Sequence, residues 1–219
     1  MQFTWPPKVG TPVQSIIFDL GAVILNIDYQ LTKIAFEKLG IDHFDKLFSK
    51  ATQSSLFDRF EKGGLGEAAF RDELNTTAGT TLTDEQIDGA WNSMLLNLPE
   101  NRLKLLEQLS KTYPLFLLSN TNSIHIRAFT AYIDKAYGMD RFSKNFKKIY
   151  FSNEIGMRKP DAEIFLHVIN EQGLTPSATL FIDDSPQHIE GAKKCGINAY
   201  HLRSEQDICD LFGFENIRV

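Results

Sequence analysis

The sequence predicts an α/β protein with a Rossmann-like, doubly wound parallel sheet as its core and an inserted all-helical cap domain. Two observations support this prediction. Short, continuously apolar segments alternate with helical patterns over most of the 219 residues, as expected for parallel strands that are covered on both faces. One long stretch near the N-terminus contains helical patterns alone. We therefore expect a core of residues 1–25 and 98–219 and a cap, or substrate lid, of residues 26–97.

Five segments have the composition of buried strands. In chain order they are Ser15–Leu20, Pro114–Ser119, Lys148–Ser152, Thr179–Asp183 and Ile197–Leu202. Between them, three segments combine apolar residues at helical spacing with a proline suited to the first turn of a helix: Pro99–Tyr113, Pro160–Gly173 and Pro186–Gly196. Alternation of strand and helix in this way predicts a parallel sheet with right-handed crossovers.

The segment between the first strand and residue 98 contains only helical patterns. The predicted helices are Tyr29–Leu39, Asp45–Ala51, Ser55–Glu61, Glu67–Leu74 and Asp84–Leu95. Thr83 and Gln86 form a capping-box pattern at the start of the last helix. The glycines of the loop Gly63–Gly66 would allow that loop to approach a pocket of the core and influence specificity.

Composition excludes several classes of function. A formal net charge of −5 and a pI near 5.6 argue against nucleic acid as a partner, since phosphate backbones require a basic face. Neither a signal peptide nor a membrane-spanning run is visible, and Cys195 and Cys209 do not make a disulfide framework. We expect a cytoplasmic protein without a membrane partner.

Polar residues cluster at the predicted carboxyl ends of the strands, where open parallel sheets bind their ligands. They are Asp19, Ser119, Asn120, Asp183 and Asp184, with Lys159 just before a core helix. Carboxylate oxygens are the ligands that Mg²⁺ prefers, and a lysine with amide donors stabilises a phosphoryl group. A carboxylate held opposite the leaving oxygen can attack phosphorus in line. Each motif alone has a structural explanation, such as a helix cap or a solvated charge, but their order and spacing favour one site.

The four segments that carry these residues resemble the haloacid dehalogenase superfamily of phosphatases. They are IIFDLGAVI, LFLLSNTN, SNEIGMRKPDAEIF and LFIDDSPQHIEGAKKCGI. The resemblance covers nearly the whole chain, and it includes a helical cap of the C1 type between the first two motifs. It implies that Asp19 is the nucleophile and a Mg²⁺ ligand, that the carbonyl of Gly21 also binds the metal, and that Lys159 bridges nucleophile and phosphate.

The remaining residues receive roles from the same resemblance. Ser119 and Asn120 would hold the phosphoryl oxygens. Asp184 would bind Mg²⁺ directly, and Asp183 would bind it directly or orient its waters. The substrate would be a small phosphorylated metabolite, hydrolysed through an aspartyl-phosphate. Within the superfamily, the DLG sequence is similar to that of the α-D-glucose-1-phosphate phosphatases, which implies a sugar phosphate such as a hexose 1-phosphate.

One position departs from the usual pattern of these phosphatases. They carry a second aspartate two positions after the nucleophile, as a general acid and base, and this chain has Gly21 there. A general acid contributes on the order of a hundred- to ten-thousand-fold to rate. Asp28 and His125 are candidate substitutes, although a helix N-cap and a satisfied histidine on a helix surface are the expected roles.

Three other functions share parts of this pattern. A metal-independent 2-haloacid dehalogenase uses the same aspartate against carbon, but adjacent carboxylates at Asp183 and Asp184 would repel each other without a metal. A phosphomutase would need an acid and base at the position that Gly21 occupies. A phosphate-binding module with little turnover is the alternative that is not an enzyme.

Overall fold

The computed structural model describes residues 12–42, 44, 48–49, 52–53 and 55–214. Its strands, in chain order, are β1 (Ser15–Phe18), β2 (Phe48–Ser49), β3 (Thr52–Gln53), β4 (Leu115–Ser119), β5 (Lys148–Phe151), β6 (Thr179–Asp183) and β7 (Asn198–His201). Five of these strands form one parallel sheet in the order β5-β4-β1-β6-β7. This confirms the predicted α/β class and places β1 at the centre of the sheet.

Side chains of the central strands alternate between two apolar clusters, one on each face of the sheet. Ile16 and Phe18 of β1 belong to one cluster, and Ile17, between them, belongs to the other. Leu117 and Leu118 of β4 divide in the same way. Both faces are therefore buried, which explains why these strands are continuously apolar in sequence.

Helices cover both faces of the sheet and form the inserted segment. Those of the inserted segment are α1 (Tyr29–Lys38), α2 (Ser55–Glu61), α3 (Glu67–Ala78) and α4 (Asp84–Asn92). Those of the core are α5 (Glu100–Leu109), α6 (Ser123–Tyr137), α7 (Met139–Ser143), α8 (Ser152–Ile155), α9 (Ala162–Glu171), α10 (Pro186–Lys194) and α11 (Ile208–Leu211), with a 3₁₀ turn at Pro176–Ala178. Among the described residues, no helix is both long and apolar enough to cross a bilayer.

The inserted segment has its own aromatic core. Phe57, Phe60, Phe70 and Trp91 are buried in one cluster, and the rings of Phe60 and Phe70 stack with centroids 4.1 Å apart. The Thr83–Gln86 capping box is present at the start of α4, as predicted. Aromatic pairs of this kind stabilise a small domain beyond the area that they bury.

The prediction of a helix at Asp45–Ala51 is wrong where the structure describes that segment. Residues 48–49 pair antiparallel with residues 52–53 as β2 and β3. The other residues of the predicted helix lie outside the described ranges, whereas Phe44, which precedes it, is described. A two-residue ladder is held by backbone hydrogen bonds, which leave no periodic pattern in the side chains.

Candidate active site

The acidic residues of the site extend from two neighbouring parallel strands. Asp19 follows β1 and Asp183 ends β6, and the backbone N–H of Asp19 donates to the carbonyl of Ile182 at 2.9 Å. Ser119 ends β4 on the other side of β1. Because the strands are parallel, their carboxyl ends meet at one edge of the sheet, and this edge forms the floor of a pocket.

Lys159 lies fully buried at the centre of this edge. Its Nζ atom donates to Asp19 Oδ1 at 2.7 Å and to Asp183 Oδ2 at 2.6 Å. The side chain of Asn120 fixes the backbone of Lys159, because Asn120 Nδ2 donates to the Lys159 carbonyl at 2.8 Å and Asn120 Oδ1 accepts from the Lys159 N–H at 2.9 Å. The amide of Asn120 therefore positions the lysine.

Asp183 is held from three directions. Besides Lys159, it accepts from the N–H of Ser185 at 2.8 Å and from Nδ1 of His188 at 2.9 Å. Burial by itself raises the pKa of this carboxyl, but attraction to Lys159 and the hydrogen bond from His188 outweigh it, and the pKa lies below its ordinary value. Asp183 is therefore an oriented, ionised carboxylate.

The pKa of Asp19 is shifted in the opposite direction. Its pKa is raised to about 7, because burial and the charges of Asp183 and Asp184 together outweigh the attraction to Lys159. The site thus holds the buried carboxyl groups of Asp19 and Asp183, the half-buried one of Asp184 and one ammonium group, a formal charge of −2 when all are ionised. An unbalanced charge of this kind is unfavourable in a protein interior unless a cation is bound.

The donor set fits a magnesium ion. One carboxylate oxygen from each of Asp19, Asp183 and Asp184 lies within 4.8 Å of the others. Hard oxygen ligands are those that Mg²⁺ prefers, and two positive charges would neutralise the site. Gly21, expected to add its carbonyl, also lines the pocket.

The two candidate substitutes for the missing acid have structural roles. Asp28 is the N-cap of α1, and its Oδ1 accepts from the N–H of Gln30 at 2.9 Å, as expected. The expectation for His125 is wrong in one respect, because its side chain is buried in the pocket wall instead of lying on a helix surface. Its Nε2 donates to the carbonyl of Trp91 at 3.1 Å, and its Nδ1 accepts from Asn122 at 3.2 Å.

Apolar walls of the pocket come from both ends of the inserted segment and from the core. The inserted segment contributes Ile27, Met94 and Leu95, and the core contributes Leu25 and Phe129. The loop Gly63–Gly66, expected to approach the pocket, does not line it. Gly63 instead packs against the backbone of Asn153, where an added Cβ would lie 2.0 Å from the carbonyl oxygen.

Sequence analysis missed three polar residues of the pocket, Tyr29, Thr121 and His188. His188 lies in the first turn of the helix after Asp183, within reach of that carboxylate, and this spacing was a usable signal. Tyr29 begins α1, and only the tertiary packing of the inserted segment brings it to the pocket.

Comparison with known proteins agrees with this geometry. The haloacid dehalogenase-like hydrolase family matches residues 13–196. A D-ribitol-5-phosphate phosphatase of Bacteroides thetaiotaomicron is 31% identical over 89% of this chain and 94% of its own. A crystal structure of a family enzyme from the same organism, in complex with magnesium and inorganic phosphate, has a TM-score of 0.83 at 34% identity, covering 91% of this chain and 98% of that one.

A second solved structure, described as a predicted hydrolase of this family from Porphyromonas gingivalis, has a TM-score of 0.79 at 29% identity over 89% of this chain and 93% of that one. The family match covers most of the chain, and the named phosphatase aligns with nearly its full length. Together with the buried lysine between two carboxylates, these findings show that the chain belongs to the haloacid dehalogenase-like hydrolases and is a phosphoric monoester hydrolase.

Proposed function

We propose that the chain is a Mg²⁺-dependent phosphatase that hydrolyses a small sugar phosphate, such as a hexose 1-phosphate, through an aspartyl-phosphate on Asp19. The observation that supports this most is the placement of Lys159 between Asp19 and Asp183, with Asp184 beside them. An attacking carboxylate, a fixed cation and a divalent-metal site are the parts that phosphoryl transfer requires.

Each residue has a distinct task in this proposal. Asp19 attacks phosphorus, and Lys159 holds Asp19 in place and stabilises charge on the phosphoryl oxygens. Ser119 and the backbone of Asn120 bind those oxygens from the end of β4. Asp19, Asp183, Asp184 and the carbonyl of Gly21 would hold Mg²⁺, which lowers the repulsion between the anionic nucleophile and the phosphate. His188 orients Asp183.

The class of substrate is supported by the pocket and by the similar proteins. The floor is polar and charged, whereas the walls are apolar and close, so a compact phosphate monoester fits. A 31% identical relative is named for D-ribitol 5-phosphate, another small polyol phosphate. The DLG sequence supports the glucose-1-phosphate phosphatase subgroup, and the helical insertion between the first two motifs supports a C1-type cap. An anomeric leaving group would tolerate Gly21 because an anomeric hydroxyl is comparatively acidic.

Replacement of the nucleophile tests the mechanism. Asp19→Asn should lower phosphate release from 4-nitrophenyl phosphate and glucose 1-phosphate by at least about a thousandfold, because an amide cannot form the acyl phosphate. EDTA should abolish wild-type activity, and Mg²⁺ should restore it. Mass spectrometry of wild-type protein quenched during turnover should find the phosphoryl group on Asp19.

Asp28→Asn is the matched control. Asparagine caps helices as well as aspartate does, so this variant should keep wild-type activity and stability. Turnover by Asp19→Asn would exclude the covalent mechanism. Halide release from 2-chloropropionate in EDTA would support the dehalogenase alternative, and tight phosphate binding without turnover would support the binding module.

A further inference from the structure

The last strand of the sheet lies against the segment that carries two of the three carboxylates of the candidate metal site. β7 ends at His201, which pairs in register with Asp183, the last residue of β6. Asp184 is the next residue, and its carboxylate belongs to the candidate metal site. The strand β7 is therefore placed to influence the position of Asp184.

A side chain of β7 contacts the backbone of Asp184. Nε2 of His201 lies 3.0 Å from the carbonyl oxygen of Asp184, across 17 residues of the chain. A carbonyl oxygen accepts hydrogen bonds and cannot donate them, so Nε2 carries the proton and is the donor. This bond is partly buried, and the imidazole of His201 is thus oriented toward the metal site through the backbone.

Three consecutive carbonyls of this segment accept hydrogen bonds. The N–H of Leu202 donates to the carbonyl of Asp183 at 3.0 Å, and the N–H of Ile189 donates to the carbonyl of Ser185 at 3.1 Å. The carbonyl of Asp184, between them, accepts from the side chain of His201. A backbone donor is present whatever the sequence, whereas the donor to Asp184 depends on which residue stands at position 201.

Packing alone leaves Asp184 open on one side. A cavity of about 480 Å³ lies beside it and is lined by His201 and by residues of the loop that follows β7. Asp184 also lines the pocket above Asp19, so it stands between two spaces. An aspartate side chain turns about only two bonds, so a shift of its backbone moves its carboxylate. The hydrogen bond from His201 restrains that shift.

We propose that His201 is a positioning residue of the metal site. Its Nε2–H holds the carbonyl of Asp184 and thereby keeps the Asp184 carboxylate close to those of Asp19 and Asp183. This inference rests on the proposed Mg²⁺-dependent function. Residues that orient metal ligands typically change metal affinity by about ten- to a hundredfold when they are replaced. Because His201 acts through one donated hydrogen bond, another side chain with a donor at the same point should replace it.

The experiment titrates metal-free protein with Mg²⁺ in a calorimeter at pH 8 and compares two variants with the wild type. His201→Leu removes the donor, whereas the amide of His201→Gln can place an N–H near the position of Nε2. We expect the Kd for Mg²⁺ to rise about tenfold or more in His201→Leu and to stay within about threefold in His201→Gln. In phosphate release, His201→Leu should need more Mg²⁺ for half-maximal activity, and saturating Mg²⁺ should recover most of kcat.

His167→Leu is the matched control. His167 lies on α9 and is not among the residues that line the pocket, so its replacement should leave the Kd for Mg²⁺ unchanged. Circular dichroism verifies that each variant is folded. If His201→Leu is unfolded, His201→Asn takes its place, because its shorter side chain cannot reach the carbonyl.

Two results would overturn the role of His201. One is a Kd for Mg²⁺ in the variant without the donor that equals the wild-type value. The other is an equal loss of affinity in His201→Leu and His201→Gln, because a packing role does not depend on the donor. Wild-type protein that binds Mg²⁺ but releases no phosphate would overturn the phosphatase proposal, while the Mg²⁺ affinities would still decide the role of His201. Wild-type protein that binds no Mg²⁺ would overturn both.

Discussion

At the scale of single residues, the charge on Asp19 would control binding of the metal that we propose. Its pKa is raised to about 7 by burial, so in the absence of metal the carboxyl is protonated below neutral pH. Asp183, beside it, is ionised throughout this range, because its pKa is below the ordinary value. Below neutral pH, a metal bound by Asp19 as we propose would displace the proton of that carboxyl.

This coupling predicts pH-dependent Mg²⁺ affinity. As the pH falls below about 7, protonation of Asp19 should weaken binding, whereas above that pH the affinity should level off. Calorimetric titrations in two buffers of different ionisation enthalpy should show uptake of a proton by the buffer at pH 6 and little at pH 8. In Asp19→Asn this proton release should disappear. Affinity that stays constant from pH 5.5 to 8 would contradict the prediction.

The same residue predicts a change in the stability of the metal-free protein. A raised folded-state pKa means that Asp19 contributes stability at low pH that is lost as the pH rises from about 4 to about 7. The free energy of unfolding of the wild type, relative to that of Asp19→Asn, should therefore decrease as the pH rises over this window. Urea titrations without metal at pH 5 and pH 7.5 measure it, and Mg²⁺ should reverse the shift.

At the scale of elements, one helix glycine determines the position of Lys159. Gly191 lies in α10, and a Cβ added to it would meet the carbonyl oxygen of Pro160 at 2.5 Å and the ring of Phe165 at 3.0 Å. The absence of a side chain lets α10 pack directly against the segment that carries the lysine. The geometry of the pocket floor therefore depends on a residue outside the pocket.

Gly191→Ala should destabilise the protein by about 1–3 kcal/mol, the usual range for overpacking, and should lower kcat more than tenfold by displacing Lys159. Gly89→Ala is the matched control, because Gly89 is a glycine of α4 with nothing within 4 Å of an added Cβ. Alanine there should stabilise by about 0.5–1 kcal/mol without altering activity. Denaturant unfolding and steady-state kinetics check both, and equal stability of the two variants would contradict the argument.

Elements were predictable where burial left a pattern in the sequence. The strands β1, β4 and β6 are enclosed on both faces, so their continuous apolarity indicated them. Helix α6 was anticipated only at His125 and its extent was not predicted, although Asn122 caps it and Ile124, Phe129 and Ile133 lie on its buried face. Its β-branched and aromatic residues have low helix propensity, and tertiary packing overrides that preference. The paired strands β2 and β3 depend on the backbone alone and left no such pattern.

Part of the candidate site was predictable because the carboxyl ends of parallel strands lie at one edge of a sheet. Asp19 follows β1, and Ser119 and Asp183 end β4 and β6 of the same sheet. Lys159 could be placed only by its motif, because it lies in a loop whose path depends on Asn120 and Gly191. Tyr29 could not be predicted, because its position depends on how the inserted segment packs on the core.

At the scale of the whole molecule, the inserted segment is joined to the core by a narrow connection and by ion pairs. At the connection, the N–H of Asn26 donates to the carbonyl of Asn97 at 2.8 Å. Arg158, next to Lys159, pairs with Asp58 and Glu61 of α2 at 3.0 Å each. The two chain ends of the segment are thus adjacent, as expected for the cap that we propose at residues 26–97.

Removal of this cap is therefore a feasible test. Replacing residues 27–96 by two glycines should give a core that folds and binds Mg²⁺, since the sheet has apolar clusters of its own on both faces. Turnover should fall by at least about a hundredfold, because the lining residues Ile27, Tyr29, Met94 and Leu95 are lost and water enters the pocket. Circular dichroism, calorimetry and phosphate release measure these properties. A truncated core that does not fold would show that the cap is not a separate domain.

The central position of β1 has a consequence for synthesis on the ribosome. β1 pairs with β4, about a hundred residues later in the chain, and Ser15 of β1 bonds to Thr179 of β6 across 164 residues. The nascent chain must therefore carry an apolar strand without partners while the whole cap is made. A chain interrupted before Asp183 lacks one of the two carboxylates that hold Lys159 and cannot complete the sheet, so β1 is the segment that chaperones would need to shield longest.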